Sequence, residues 1–249
     1  MTETMVRLHL IVDGTFTADR RLFLPEGPSS SYVAAAKCLL IETEKEKILV
    51  DTGIGALPGD GRFDAVRRNQ RVERKKGQGV ERGLARLGIR PGQVTTVVNT
   101  HLHNAHCGNN NLFANAQFYV ARSELRFVQR TIDDDPAQTA YVVENYDRVR
   151  SVNETRGERR ITEEVSVVPT PGHTEGHQSV VVSLGDRNLV YSGDVAPLRQ
   201  NLEERVAMAG CDRRQAVESM DRLLKIPNAR WVFSHDRSQL TLSKAFAPR

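Results

Sequence analysis

Thr100-His101-Leu102-His103-Asn104-Ala105-His106-Cys107-Gly108 puts three histidines within six residues. The short apolar run Val97-Val98 leads into it through Asn99 and Thr100, so the histidines begin where a strand ends. In an extended segment, side chains two residues apart share a face, and His101 and His103 can therefore approach one ion. His106 lies beyond a turn and points elsewhere, which suits a second ion. Neutral imidazole is the commonest metal ligand, yet one stretch of chain rarely supplies enough ligands to close a site. The remainder has to come from other parts of the sequence.

Six of the seven histidines fall in three clusters, His101 with His103 and His106, His173 with His177, and His235 alone. His9 stands apart in a strand pattern and reads as a bystander. Each cluster follows a short apolar strand: Val167-Val168-Pro169 leads to His173, and Trp231-Val232-Phe233 leads to His235. The same grammar places Asp51 after Ile48-Leu49-Val50 and Asp194 after Leu189-Val190-Tyr191. Five strand ends that deliver His or Asp are what a site at one edge of α/β sheets requires. His173 and His235 can complete two ligand sets, and Asp194 can bridge them with its two oxygens. Two metals about 3.5–4 Å apart clamp and activate a bridging hydroxide and polarise a scissile carbonyl. A lone histidine in a turn is usually satisfied by hydrogen bonds. Six in this arrangement are not explained that way.

The rest of the chain supplies an α/β frame. Strands are expected at Arg7–Val12, ending in a turn at Asp13-Gly14, and at Ala34–Glu42 and Ile48–Val50 around the charged turn 44–47. Val80, Leu84 and Leu87 predict a helix face closed by Gly88, with Pro91 following. A strand at Val94–Asn99 comes next, then a helix from Ser123, as N-cap, to Arg130. Residues 131–160 are polar and read as a lid or connection. Strands at Val165–Val168, Val180–Ser183, Leu189–Tyr191 and Trp231–Phe233 follow, with a helix from Asp212 presenting Ala216, Met220, Leu223 and Leu224.

Composition excludes several classes. Hydrophobic residues at 39% and charged residues at 27% are ordinary globular values. No apolar run reaches the roughly 18 residues of a membrane span, and no secretory leader is evident, so a cytoplasmic location is expected. Cys38, Cys107 and Cys211 are odd in number and widely spaced, which argues against a disulfide framework. The excess of 35 Lys+Arg over 31 Asp+Glu is small. Its densest patch, Arg62 to Arg82, reads as a solvated face rather than a nucleic-acid groove.

The motif at 100–108 resembles the H-x-H-x-D-H signature of the metallo-β-lactamase superfamily. TPGHTEGH at 170–177, SGD at 192–194, SHD at 234–236 and LVDTG at 49–53 resemble its other motifs, in order, from about Ile48 to His235. The resemblance implies a four-layer αβ/βα sandwich of two mixed β-sheets flanked by helices. It implies one such domain over 1–249, with halves at about 1–130 and 160–249. His101, His103 and His173 would hold one metal, His106 and His235 a second, with Asp194 between. Asp51 would orient a ligand imidazole from behind, His177 would be non-ligating, and Cys107 would serve packing. Zinc is the expected metal, with Fe, Mn or Co also compatible with these donors.

GHTEGHQS and the late helix before SHD are similar to the acyl-homoserine lactonase (quorum-quenching) branch, which implies a small-molecule lactone substrate opened by the bridging hydroxide. No nucleic acid or membrane partner is implied, and dimers are common in the family. Two departures stand out. The family aspartate at position 105 is Ala105, which removes a ligand of the second metal and a proton carrier, leaving Asp194 as the remaining catalytic carboxylate. A tyrosine three residues beyond the bridging aspartate is replaced by Pro197. Ala105 fits a natural chain with a weakened second site, or a deliberate Asp→Ala replacement in a working enzyme; the otherwise intact ligand set favours the second. Ester, thioester (glyoxalase-II-like) or phosphodiester hydrolysis and non-catalytic metal binding stay open beside lactone opening.

Overall fold

The computed structural model describes residues 6–59, 61, 71–135, 140–147, 149 and 151–242. Seven strands form one sheet: β1 (Arg7–Asp19), β2 (Ser31–Glu42), β3 (Lys47–Val50), β4 (Arg71–Glu73), β5 (Thr96–Val98), β6 (Gln117–Ala121) and β7 (Val152–Thr155). Their order is β4-β1-β2-β3-β5-β6-β7, antiparallel as far as β3 and parallel from β3 to β7. Five more, β8 (Arg159–Arg160), β9 (Val165–Pro169), β10 (Gln178–Leu184), β11 (Arg187–Tyr191) and β12 (Ala229–Val232), form the second sheet in the order β12-β11-β10-β9-β8. Only β11 and β12 pair in parallel there.

Side chains alternate across a strand, and this alternation builds the layers. Leu39 and Ile41 of β2, Ile48 and Val50 of β3, and Val98 of β5 face the second sheet and meet Val165, Val167, Val180, Val182, Leu189 and Tyr191. Their neighbours Cys38, Leu40, Leu49 and Val97 turn the other way, onto Val80 and Leu84 of helix α1 (Val80–Arg86). On the far side, Val190 packs against helices α4 (Arg199–Glu204) and α5 (Arg213–Leu223) through Leu202, Ala216, Met220 and Leu223. Helix, sheet, sheet, helix is the four-layer arrangement that the sequence motifs implied. Each fully buried aliphatic side chain in it contributes about 1.5–3 kcal/mol over exposure.

Strand directions decide where function can sit. β3 and β5 run parallel, β9 and β11 are both antiparallel to β10, and β12 runs with β11. The chain therefore leaves all five at one edge of the sandwich, toward Asp51, His101, His173, Asp194 and His235.

Several local expectations need correction. Asp13-Gly14 is not a turn: β1 continues to Asp19, and the register with β2 shifts between Val12 and Gly14. This bulge turns Asp13 inward. Its Oδ1 accepts from the Val80 N–H (2.8 Å), and its Oδ2 accepts from the Ile54 N–H (3.0 Å) and from Arg74 (2.9 Å). Asp13 thus caps α1, whose flanking Gly79 has no side chain to do so. Leu87 and Leu224 fall at helix C-caps and are exposed. Helix α3 (Arg122–Asp134) starts one residue before Ser123, which is therefore not its cap. The stretch 131–160 is more than a lid: it completes α3 and supplies β7 as the edge of the first sheet. Of the basic patch, Arg62, Arg67 and Arg68 lie outside the described residues, while Arg71 pairs with Glu73 and Arg74 with Asp13. The three cysteines are free. Among the described residues no helix is long and apolar enough to cross a membrane.

Asp13→Ala would leave two buried backbone N–H groups and a guanidinium without their acceptor. Each such loss costs about 1–3 kcal/mol, so unfolding free energy should fall by about 3 kcal/mol or more. Urea denaturation would read this as a lowered midpoint at unchanged slope. A change within ~0.5 kcal/mol, the size of an ordinary surface effect, would contradict the capping role.

Candidate metal centre

Helix α2 (Asn104–Cys107) is one turn that follows β5 after five residues; His103 is its N-cap and His106 lies within it. His103 Nδ1 lies 3.0 Å from His101 Nε2 and 3.0 Å from His173 Nε2. The surrounding hydrogen bonds assign the tautomers. Thr100 Oγ1 donates to Asp51, so it accepts from His101 Nδ1 at 3.1 Å and leaves Nε2 as a lone pair. Cys211 Sγ donates to the Ala209 carbonyl and accepts from His173 Nδ1 at 3.3 Å, which frees the second Nε2. One proton on His103 can serve only one of the two 3.0 Å contacts at a time. A single cation among the three nitrogens would serve all of them. Burial, then the neighbouring imidazoles, holds His101 and His173 well below the usual histidine range, and burial takes His103 down to about 4. All three are neutral at ordinary pH and have lone pairs to offer a cation. Tetrahedral ligation at about 2.0–2.1 Å spaces nitrogens about 3.3 Å apart, close to what is found.

A second group adjoins the first. His106 Nε2 is 3.3 Å from His235 Nε2 and 3.3 Å from Asp194 Oδ2, and His235 Nε2 is 3.2 Å from that same oxygen. Asp194 Oδ2 also lies 3.6 Å from His173 Nε2, so it stands between the groups. The carboxylate presents Oδ2 to both groups. Its Oδ1 accepts from Ser234 Oγ at 2.6 Å, and one oxygen is shared. His101, His106 and Asp194 also bring ligand atoms within 4.8 Å of one another. Burial opposes charge on His106, but Asp194 and Asp51 together outweigh it and raise this imidazole to about 10. Burial opposes charge on Asp194 too, yet His106 and His235 hold its carboxyl well below the usual range.

The supports behind these atoms are equally specific. Asp51, in a left-handed backbone conformation (φ 56°), accepts from His106 Nδ1 at 2.8 Å and from the Thr100 N–H at 2.8 Å. It therefore steadies His106 directly and His101 through Thr100. His235 Nδ1 donates to the Ala35 carbonyl at 2.8 Å. His177 accepts from the Asp194 N–H at Nε2 (2.9 Å) and reaches Thr170 through Nδ1, so it has no lone pair to give the cluster. Cys107 is buried and donates to the Leu102 carbonyl at 3.1 Å. His9 pairs with Glu42 at 2.9 Å, remote from the centre. Thr100, Ser234 and Cys211 escaped the sequence reading. Thr100 and Ser234 sit inside the quoted motifs at 100–108 and 234–236, whereas nothing local marks Cys211.

A cavity of about 290 Å³ opens onto the cluster. Phe16, Leu22, Phe23, Ile54, Leu57 and Met208 supply its apolar wall, with His103, His106, His173, Asp194 and His235 at one end and Ala105 beside them. Among the described residues, no lysine, arginine or tyrosine is in its lining. Pro197, buried, instead accepts from the His235 N–H at 3.0 Å through its carbonyl.

Comparison with known proteins agrees with this geometry. An N-acyl homoserine lactonase of Bacillus sp is 28% identical over 246 residues, covering 96% of this chain and 92% of the relative. A solved N-acyl homoserine lactone hydrolase, with the product N-hexanoyl-L-homoserine bound at its catalytic metal centre, superposes with a TM-score of 0.80 at 25% identity, covering 93% and 94% of the two chains. AidC, a dizinc quorum-quenching lactonase, shares the fold at TM-score 0.72 and 18% identity, covering 97% and 91%. Residues 32–235 match the metallo-beta-lactamase superfamily. With two facing mixed sheets and a histidine-rich edge shared between them, the chain belongs to that superfamily.

Proposed function

We propose that this chain is a metal-dependent hydrolase that opens lactone rings. Zinc is the metal these donors suit best, with His101, His103 and His173 on one ion, His106 and His235 on a second, and Asp194 Oδ2 shared. The observation that carries the reading is the convergence of the imidazole nitrogens of His101, His103 and His173, the last two of which line a cavity with a largely apolar wall. Bound zinc would supply Lewis acidity, polarising a carbonyl and lowering the pKa of water toward neutrality. The chain's own residues supply the rest. Phe16, Phe23, Ile54, Leu57 and Met208 offer an acyl chain an apolar wall that excludes water, and Asp194 and the histidines confine the reacting carbonyl to one end. A neutral ester with an apolar tail suits this lining better than a phosphodiester, which would find no lysine or arginine among the described lining residues.

Ala105 and Pro197 are the departures that bear on rate. Among the described residues, no carboxylate other than Asp194 lines the cavity to hand a proton to the leaving alkoxide, and no tyrosine hydroxyl lines it to meet the carbonyl. A positioned general acid or base contributes typically ~10²–10⁴-fold. The chain should therefore turn lactones over slowly, and Ala105→Asp should raise kcat by about that factor while changing KM much less. Initial rates on a panel of acyl-homoserine lactones, thioesters and phosphodiesters check this. A metal-filled Ala105→Asp variant inert towards all three would refute the hydrolase reading.

Zinc uptake should also depend on pH in a specific direction. In the metal-free chain His106, raised to about 10, carries a proton that must leave before it can ligate. His101, His103 and His173 are already neutral. From pH 6 to 8, the weaker class of zinc should tighten by up to about tenfold per pH unit as proton competition falls, while the tighter class changes little. Calorimetry in buffers of different ionisation enthalpy would show proton release for the weaker class only. Equal proton release for both classes would contradict the assignment of His106 to the weaker one.

A further inference from the structure

The first turn of α3 reaches into the metal centre from outside both sheets. Glu124 is fully buried there, and its carboxylate faces two loops that are distant in sequence. Oε1 accepts from the Leu102 N–H at 2.9 Å, and Oε2 accepts from Thr174 Oγ1 at 2.6 Å, with the Gly176 N–H as a further donor. Leu102 is the residue between His101 and His103, and Thr174 follows His173. One carboxylate thus joins the segment leaving the first sheet to the segment leaving the second.

The surroundings hold this contact in place. The Leu102 carbonyl is taken by the Cys107 thiol at 3.1 Å, so the peptide between the two histidines is fixed at both its N–H and its C=O. Leu102 itself is buried with Cys107, Val120, Val128 and Tyr141. Gly176 lets the loop touch α3: a Cβ there would fall on the backbone nitrogen of Glu124. The carboxylate sits in the first turn of α3, where the helix dipole favours a negative charge.

We infer that Glu124 is a positioning residue of the metal centre, setting the distance between the His101–His103 segment and His173 through its paired bonds to Leu102 and Thr174. The inference rests on the metal-binding reading given above. His103 Nδ1 and His173 Nε2 sit on loops that leave different sheets and lie 3.0 Å apart. Gln178 also joins the two segments through the Thr100 and Asn99 carbonyls, but before His101 and after His177. Glu124 instead holds the residues next to His103 and His173 themselves. Ligand atoms need placement within about 0.5 Å, and a brace across the two loops provides it. Glu124 touches neither the ion nor the substrate. Losing a partner behind a ligand typically costs about 10–100-fold in metal affinity.

Three variants test this by zinc competition against a chromophoric chelator, with the visible spectrum of the cobalt(II)-loaded protein and the melting temperature of the metal-free protein alongside. Thr174→Val removes one arm at nearly constant shape, Thr174→Ser puts the hydroxyl back, and Glu124→Gln replaces one accepting oxygen by a donor. Thr174→Val and Glu124→Gln should each weaken the tighter zinc by about 10–100-fold and alter the cobalt bands, while Thr174→Ser restores affinity and spectrum. Affinity and spectrum unchanged in both disruptive variants, however far the melting temperature falls, would overturn the inference and leave Glu124 a matter of stability alone. Should Glu124→Gln fail to fold, the Val and Ser pair at 174 decides. A parent chain that takes up no zinc would overturn the metal reading itself, an outcome distinct from equal binding by parent and variants.

Discussion

Three imidazole nitrogens held 3.0 Å from neighbour to neighbour in a buried place are the constraint on which the rest of this structure depends. Burial makes them neutral, neutrality makes them acceptors, and acceptors crowded together call for a cation. Two come from the loop after β5 in one sheet and the third from the loop after β9 in the other. The edge of the sandwich must therefore stay closed for the centre to exist, and the shared core of Leu39, Ile48, Val50, Val167, Val180 and Tyr191 keeps it closed. Packing between the sheets and chemistry at their edge are one problem in this fold.

Each ligand nitrogen is aimed by a hydrogen bond on its other side or by the chain around it. Asp51 serves His106 directly and His101 through Thr100, Cys211 serves His173, and the Ala35 carbonyl serves His235. Ser234 takes one oxygen of Asp194 so that the other is shared. Charge is arranged accordingly: His106 between Asp51 and Asp194 holds its proton, whereas His101, His103 and His173 cannot. On the proposed reading, this asymmetry would give the two groups different affinities for metal before Ala105 is considered. The alanine where the family motif has aspartate would widen that difference, and its methyl lines the cavity beside the cluster.

The parts legible in the sequence were those written in a local period. The apolar run within Ala34–Glu42 and those before Asp51, His101, His173, Asp194 and His235 carried strands of the two sheets and the common edge, because a strand end and its next few residues cannot separate. Features that depend on three dimensions were not legible. Asp13-Gly14 has turn chemistry whether the strand reverses or merely bulges, and only the partner strand decides. Leu87 and Leu224 kept the helical period but fell at helix ends, where the backbone leaves the face they would have shared. The sharing of a single oxygen of Asp194 follows from Ser234, forty residues further on, and Glu124 reaches its two loops from a helix whose sequence shows only an acidic first turn.

A metal is expected in the space among His101 Nε2, His103 Nδ1 and His173 Nε2. Anomalous scattering from zinc-loaded crystals, recorded on both sides of the zinc absorption edge, would locate it. A strong peak should lie about 2.0–2.1 Å from each of those three nitrogens, with a weaker peak between His106 and His235 beside Asp194 Oδ2. No peak at the three nitrogens after loading, or zinc bound only elsewhere on the protein, would contradict it.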